Sequence, residues 1–136
     1  MLAPAPIPKH LEIKEGLCTY RPRGRHSLVE AVELVAKALA TCRDRGVTHM
    51  MIDGTGFVDL PVPTLVDRFL MVEDWAQAAQ STVVAALVVP AKYIHPRKFG
   101  VNVAASFGLV CDIYTSEAAA MKWLLDTPVP GDSDSD

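Results

Sequence analysis

The chain has 136 residues, half of them apolar, and a formal net charge of -3. A chain of this length builds one core without metals or crosslinks, and its acidic balance argues against a general nucleic-acid binder, which carries a broad basic surface. Its three cysteines, Cys18, Cys42 and Cys111, are odd in number and set among apolar neighbours, so we expect buried, reduced thiols and a cytoplasmic protein.

The two ends of the chain differ in composition from the middle. Residues 1–9 alternate proline with small residues, and residues 127–136 are rich in Pro, Gly, Ser and Asp. We therefore expect a flexible N-terminus over 1–9, one folded domain over 10–126 and a disordered acidic tail over 127–136. Apolar runs are shorter than the ~18 residues that span a bilayer, and no signal-peptide pattern opens the chain, so we expect neither membrane insertion nor export.

The folded part begins with a predicted hairpin. Leu11 and Ile13 lie on one side of Glu15-Gly16, and Leu17 and Thr19 on the other, which is typical of two short strands joined by a tight turn. A basic connection, residues 21–26, follows.

A helix and a strand come next. Ser27 and Glu30 have the spacing of a capping box, in which each residue satisfies a backbone amide of the other. The apolar positions that follow recur every three or four residues, so the pattern predicts a helix that begins at Leu28 and is stopped by Gly46. The apolar residues 47–52 predict the next strand.

The middle of the chain repeats this alternation. Pro61 and Pro63 predict a second helix beginning near Thr64. The apolar run 81–89 lacks polar alternation, which is typical of a strand covered on both faces, and we expect it at the centre of the sheet. The residues expected on the inward face of the second helix are Leu65, Val66, Phe69, Val72 and Ala76.

Two further helices complete the prediction. Residues 97–107 carry a third apolar stripe (Phe99, Val103, Ala104, Phe107), closed by Gly108. Residues 109–114 predict a short strand, and Thr115 or Ser116 caps the last helix. The residues expected on its inward face are Met121, Leu124 and Leu125.

The predicted order, β-β-α-β-α-β-α-β-α, indicates an α/β domain with a mostly parallel (mixed) sheet of about five strands and an antiparallel edge hairpin strand. Strand-to-helix loops of a parallel sheet open at the same edge. We therefore expect the loops 21–26, 53–62 and 90–96 to share one rim, which we take as the working surface.

Several segments resemble a known family. The hairpin, the helix opening with Ser-Leu-Val-Glu-Ala and the strand ending in Ile-Asp-Gly-Thr-Gly-Phe (52–57) resemble the STAS domain of sulphate transporters and anti-sigma-factor antagonists. Within it, Pro-Arg-Gly (22–24), Pro-Arg-Lys-Phe-Gly-Val (96–101) and the helix from Ser116 to Leu124 are similar to a subgroup of small bacterial proteins described as sporulation-antagonist-like. The resemblance implies a STAS-like fold and a non-enzymatic regulatory domain. Its implied partner is a protein such as a regulatory kinase or an anti-sigma factor.

The resemblance assigns a role to the turn Asp53, Gly54, Thr55, Gly56 and Phe57. In partner-switching relatives a hydroxyl residue at the place of Thr55 is phosphorylated, so the resemblance implies partner binding through this turn and a phosphoacceptor at Thr55. A phosphate would add about two negative charges, which we expect at the amino end of the next helix. Gly54 stands where the family has a first hydroxyl residue, and the alternative is that Asp53 and Thr55 only satisfy backbone amides of the turn.

Basic side chains suggest a second kind of site. An anionic ligand, nucleotide or lipid is the alternative to a protein partner, because guanidinium groups and free amides both favour negative charge. A solvated loop is the simpler interpretation of the first of these segments. The candidate anion-binding residues are Arg21, Arg23, Arg25 and His26 in the first loop and Tyr93, His95, Arg97 and Lys98 in the third.

Few features favour an enzyme. The four histidines lack metal-ligand spacing and no nucleophile or phosphate-loop motif occurs. We therefore expect no catalytic residue, no metal and no cofactor. The alternative is that Asp53 and His95 meet across the rim as a catalytic base and the residue that orients it. His49, Trp75 and Trp123 are interpreted as packing residues. The edge strand, with Leu60 and Val62 outside the predicted core, leads us to expect a homodimer.

Overall fold

A five-stranded sheet organises the computed structural model, which describes residues 6–129. Most of the predicted acidic tail and the first five residues of the predicted flexible N-terminus lie outside this range. The strands of the sheet are β1 (Leu11–Lys14), β2 (Leu17–Tyr20), β4 (His49–Asp53), β6 (Val84–Val88) and β7 (Cys111–Tyr114). A separate two-stranded sheet pairs β3 (Arg23–Arg25) with β5 (Gly56–Val58).

The main sheet is mixed but mostly parallel. Strand β1 pairs antiparallel with β2, whereas the pairs β2–β4, β4–β6 and β6–β7 are all parallel. The predicted α/β class and the antiparallel edge hairpin are therefore confirmed. The predicted central strand is wrong, because β4 lies in the middle and β6 lies between β4 and the edge strand β7. An unbroken apolar run indicates burial on both faces, which holds for any internal strand.

Within residues 6–129, four α-helices cover the sheet: α1 (Leu28–Asp44), α2 (Leu65–Ala79), α3 (Phe99–Ser106) and α4 (Glu117–Leu125). The capping box of α1 is confirmed, since the Ser27 hydroxyl accepts from the Glu30 amide at 3.1 Å and the Glu30 carboxylate accepts from the Ser27 amide at 2.8 Å. Thr64 and Asp67 form a second capping box at the start of α2. Gly46, with a φ of 72°, supplies the left-handed residue after α1.

The core has two layers, one on each face of the sheet. The larger layer lies under α1, α2 and α3 and includes Leu39, Met50 and Trp75. The smaller layer lies under α4 and includes Met51 and Leu124. Because neighbouring residues of β4 point to opposite faces, Met50 and Met51 belong to different layers.

The predicted inward faces of two helices need correction. In α2, Leu65, Val66 and Phe69 are exposed, whereas Val72, Trp75 and Ala79 are buried and Ala76 is half-buried against the core. The helix carries apolar residues on two sides, so either side could face the core. Packing against α1 and α3 buries the side that contains Trp75. In α4, Leu124 is buried as expected, but Leu125 is 70% exposed.

The small β3–β5 sheet was also missed. Its strands lie within segments 21–26 and 53–62, which were predicted to be loops without strands. Each strand has three residues, too few for a periodic apolar pattern, and the pairing depends on backbone hydrogen bonds that side-chain patterns do not encode.

Candidate functional site

The three predicted rim segments lie next to one another. Strands β3 and β5 join the first segment to the second, with Gly24 opposite Phe57 in the ladder. The His26 ring packs edge-to-face on Phe57 with ring centroids 5.7 Å apart. The Tyr93 hydroxyl donates to the Leu60 carbonyl oxygen at 2.6 Å, which joins the third segment to the second. The expected common rim is confirmed.

The turn that follows β4 is organised by Asp53. Its Oδ1 atom accepts from the Thr55 amide at 2.9 Å and from the Thr55 hydroxyl at 2.6 Å. The Gly54 amide donates to the Val88 carbonyl at 2.8 Å, which ties the turn to the end of β6. Thr55 and Gly56 are exposed and Phe57 is half-buried, so the turn presents its hydroxyl at the surface while the hydroxyl proton is held by Asp53.

Gly56 is required by a close approach of two backbones. A Cβ atom at this position would lie 2.7 Å from the Pro22 carbonyl oxygen, inside van der Waals contact. The β3–β5 ladder therefore depends on the absence of a side chain here.

The expected position of Thr55 relative to a helix is wrong. Helix α2 begins at Leu65, and β5 with the proline-containing segment after it lies between Thr55 and that helix. A phosphate on Thr55 would therefore not lie at the amino end of α2, the next helix along the chain.

Arg21 is bound to a carboxylate rather than free for a ligand. Its Nε and Nη2 atoms donate to the two oxygens of Glu117 at 2.9 and 2.8 Å. These hydrogen bonds lower the pKa of Glu117 to about 2. Asp53 adds to the negative potential that raises the pKa of Arg21, so these three side chains form one electrostatic cluster beside Thr55.

The rest of the first loop is also largely engaged. Arg25 donates from Nη1 to Oδ2 of Asp59 at 2.6 Å, and both side chains are 70% exposed. The His26 Nε2 atom lies 3.2 Å from the Arg23 carbonyl oxygen. Within residues 6–129, the Arg23 side chain has no ion-pair partner.

Two of the candidate side chains of the third loop are also engaged, in an ion pair and in a hydrogen bond. Lys98 Nζ lies 2.6 Å from Asp112 Oδ1, and the His95 Nδ1 atom accepts from the Arg97 amide at 3.1 Å. Arg97 is exposed. Tyr93 and Lys98 line cavities beneath α2 whose walls include none of residues 21–26. The structure therefore does not bring the two basic loops together around one pocket, and the bonds described for Asp53 and His95 do not join these two side chains.

An exposed apolar surface beside the rim was not predicted. We call Val62, Leu65, Val66, Phe69 and Leu70 the α2 apolar face; their exposed fractions are 50, 51, 68, 41 and 51%. Positions 65, 66, 69 and 70 lie on one side of a helix. The Phe69 ring packs edge-to-face on Phe107 with centroids 5.4 Å apart, which extends the surface toward the end of α3. Of these residues, Leu65, Val66 and Phe69 were predicted to face the core, whereas Val62 was expected to lie outside it.

Packing roles explain several of the remaining residues. His49 is half-buried, with Nε2 2.7 Å from the Thr127 carbonyl and Nδ1 2.8 Å from the Thr48 hydroxyl. Cys18 and Cys42 are buried, as expected, and Cys111 is half-buried. Desolvation, with a smaller contribution from the neighbouring Asp112 carboxylate, raises the pKa of Cys111 to about 12. All three thiols are free.

Neither a family model nor a curated protein matches the chain. Over residues 6–129, no group of three His, Cys, Asp or Glu side chains is placed to hold a metal ion. Within that same range, no helix combines the length and the apolar character needed to cross a membrane. The described residues form an α/β domain whose surface carries the polar turn 53–57 and the α2 apolar face.

Proposed function

We propose that this chain is a non-enzymatic regulatory domain that acts by binding a protein, in the manner of the STAS-domain anti-sigma-factor antagonists that its sequence resembles. The binding surface combines the turn 53–57 with the α2 apolar face. The candidate partner is a regulatory kinase or an anti-sigma factor.

The observation that carries this proposal is the α2 apolar face itself. Exposed apolar side chains are common one at a time, but a contiguous group on a monomer marks an interaction surface more often than chance. Here five such residues follow one another from the segment after β5 into the first two turns of α2. Removing them from water is a source of binding free energy that the fold itself does not use.

The charges beside this face define the partner further. Leu65 lies with His95, Arg97 and Phe99 around a surface depression, and Arg23 is exposed on the β3 side of the rim. A partner with an apolar centre and acidic side chains at the edge that meets Arg97 is complementary to this arrangement.

Thr55 provides a way to switch the surface. Phosphorylation would remove the hydrogen bond that the Thr55 hydroxyl donates to Asp53. It would also place about two negative charges beside that carboxylate. The phosphate would then compete with Glu117 for Arg21, since an arginine binds phosphate and carboxylate in similar geometry. This would change the conformation and charge of the turn that the partner contacts.

The experiment that tests the proposal compares two charge insertions. Val66→Asp places a carboxylate in the α2 apolar face, and Leu125→Asp places one at an equally exposed apolar position on α4, which covers the opposite face of the sheet. In affinity purification from the native host, we expect a partner that binds the wild type and Leu125→Asp and is lost with Val66→Asp. Calorimetry with the purified partner should then show the same order of affinities.

Two results would contradict the proposal: no protein lost selectively with Val66→Asp, or equal loss with both variants. The homodimer remains a prediction that the same variants address. If two copies bind through the α2 apolar face, light scattering will show a dimer for the wild type and a monomer for Val66→Asp.

A further inference from the structure

A surface groove lies between the first two turns of α1 and the facing side of α2. Its volume is about 210 Å³, which is below the roughly 300–1,000 Å³ of most small-molecule sites. A groove of this size is suited to the side chains that protrude from another protein. We call it the α1–α2 groove; its lining residues are Leu28, Val29, Val32 and Glu33 from α1 and Asp67, Leu70, Met71 and Asp74 from α2.

The α1–α2 groove has an apolar floor that the fold leaves partly uncovered. Five of its eight lining residues are apolar. Val29 and Leu70, one from each helix, are 68% and 51% exposed. A partner that covers these two side chains with apolar groups removes them from water, which favours binding.

The other three lining residues are carboxylates. Asp67 belongs to the capping box of α2 and accepts from the Thr64 amide at 2.9 Å. Within residues 6–129, neither Glu33 nor Asp74 has an ion-pair partner, and no basic side chain lines the groove. The groove therefore carries negative charge that the described part of the chain does not neutralise.

Apolar and acidic side chains are adjacent on both helices. Glu33 follows Val29 by four positions, and Asp74 follows Leu70 by four positions, so each pair lies on one side of its helix. A helix with one apolar face and Lys or Arg beside that face is complementary to this pattern in both respects, as in other complexes in which a helix lies in a groove.

We propose that the α1–α2 groove binds a basic amphipathic helix of a partner protein, with the apolar face of that helix in the groove and its Lys or Arg side chains next to Glu33 and Asp74. Of the α2 apolar face, the groove includes only Leu70. The inference goes beyond the proposed function and does not depend on it.

Two model peptides test the preference for positive charge. Both have about 18 residues, or about five helical turns, with leucine on one face and either lysine or glutamate on the other. Fluorescence anisotropy of the labelled peptides measures their binding to the full chain. We expect saturable binding of the lysine peptide, about tenfold tighter than that of the glutamate peptide and weaker as salt is added.

A third peptide tests the apolar contact. It has the composition of the lysine peptide, but its leucines are distributed around the helix so that no apolar face forms. We expect it to bind about tenfold more weakly than the amphipathic lysine peptide, because charge alone does not cover Val29 and Leu70.

Charge reversal tests the location of the site. Glu33→Lys/Asp74→Lys should reverse the preference, so that the glutamate peptide binds more tightly than the lysine peptide. The matched control, Glu12→Lys/Glu15→Lys, changes the net charge by the same amount on the hairpin and should keep the preference of the wild type. All four side chains are exposed, so circular dichroism should show folded proteins.

A further variant separates this proposal from the proposed function. Val66→Asp should bind the lysine peptide at least as tightly as the wild type does, even where it loses the partner of the α2 apolar face. The proposal would be overturned by no binding of the lysine peptide, by equal affinities of the wild type for any two of the three peptides that include it, or by equal effects of the two charge reversals.

Discussion

Arg21 and Glu117 are 96 positions apart in the chain and form a two-pronged ion pair, in which the guanidinium of Arg21 donates separately to each oxygen of the Glu117 carboxylate. The pair joins the residue that follows β2 to the first residue of α4. It therefore connects the start of the first rim segment to the helix on the other face of the sheet.

This ion pair predicts a pH dependence of stability. The pKa of Glu117 lies near 2 in the folded protein, below its ordinary value of 4.5, so folding favours the ionised carboxylate. The contribution is present above about pH 4.5 and is lost as the pH falls toward 2. Both side chains are partly exposed, so we expect Glu117→Gln to lower the free energy of unfolding at pH 7 by about 1 kcal/mol or less.

Urea unfolding of the wild type and Glu117→Gln between pH 7 and pH 2 measures this difference. The difference in free energy of unfolding between the wild type and Glu117→Gln should shrink as the pH falls from about 4.5 toward 2. Arg21→Met should show the same pH dependence relative to the wild type. A gap that stays constant down to pH 2 would mean that the ion pair is not its cause.

The structure predicts that alanine substitutions at Gly56 and Gly54 differ in their effect on stability. Gly56→Ala forces a Cβ atom against the Pro22 carbonyl, and such overpacking costs about 1–3 kcal/mol. Gly54→Ala places its Cβ no closer than 3.5 Å to any neighbour, which is ordinary contact. Thermal unfolding should show a clear loss of stability for Gly56→Ala only, with faster amide exchange in β3 and β5. Equal effects of the two substitutions would contradict the described β3–β5 pairing.

Replacing Trp75 should cause a large loss of stability, because its side chain is buried in the core. This α2 residue is 6% exposed, and its Nε1 atom donates to the carbonyl oxygen of Val32 in α1 at 3.1 Å. Trp75→Ala should cost about 3–5 kcal/mol. Trp75→Phe should cost less, because the smaller ring keeps most of the contact and loses only the indole hydrogen bond to the Val32 carbonyl. Denaturant unfolding measures both, with the half-buried Trp123→Phe as the control. A loss in Trp75→Phe no larger than in Trp123→Phe would show that the hydrogen bond contributes little.

The capping box of α2 predicts a local effect. Thr64→Ala removes the acceptor for the Asp67 amide and should cost about 1 kcal/mol. Hydrogen exchange should accelerate in the first turn of α2, which carries Leu65 and Val66 of the α2 apolar face, while the first turn of α1 is unchanged. Ser27→Ala serves as the reciprocal control and should affect α1 alone.

The sequence predicted correctly those features that depend on residues close together in the chain or on general rules for connecting strands and helices. The capping box of Ser27 and Glu30, the turn at Gly46 and the parallel order of the strands each follow from short-range geometry or connection rules. The common rim followed from the same rules, because parallel strands end at one edge.

The errors share a different cause. Helix α2 carries apolar residues on more than one side, so periodicity alone could not decide whether Val66 or Trp75 faces the core. That choice depends on where α1 and α3 lie. The ion pairs of Arg21 and Lys98 join residues distant in sequence or on different elements, and the β3–β5 ladder depends on the backbone, so composition and spacing held no signal for either.

The central claim is that the turn 53–57 and the α2 apolar face together contact a protein. Photo-crosslinking in the native host tests it directly, with a photoreactive amino acid placed at Val66, at Phe57 or at Leu125. The account predicts the same crosslinked protein from positions 66 and 57 and none from position 125. Crosslinking to that protein from position 125, or no adduct from position 66, would contradict it.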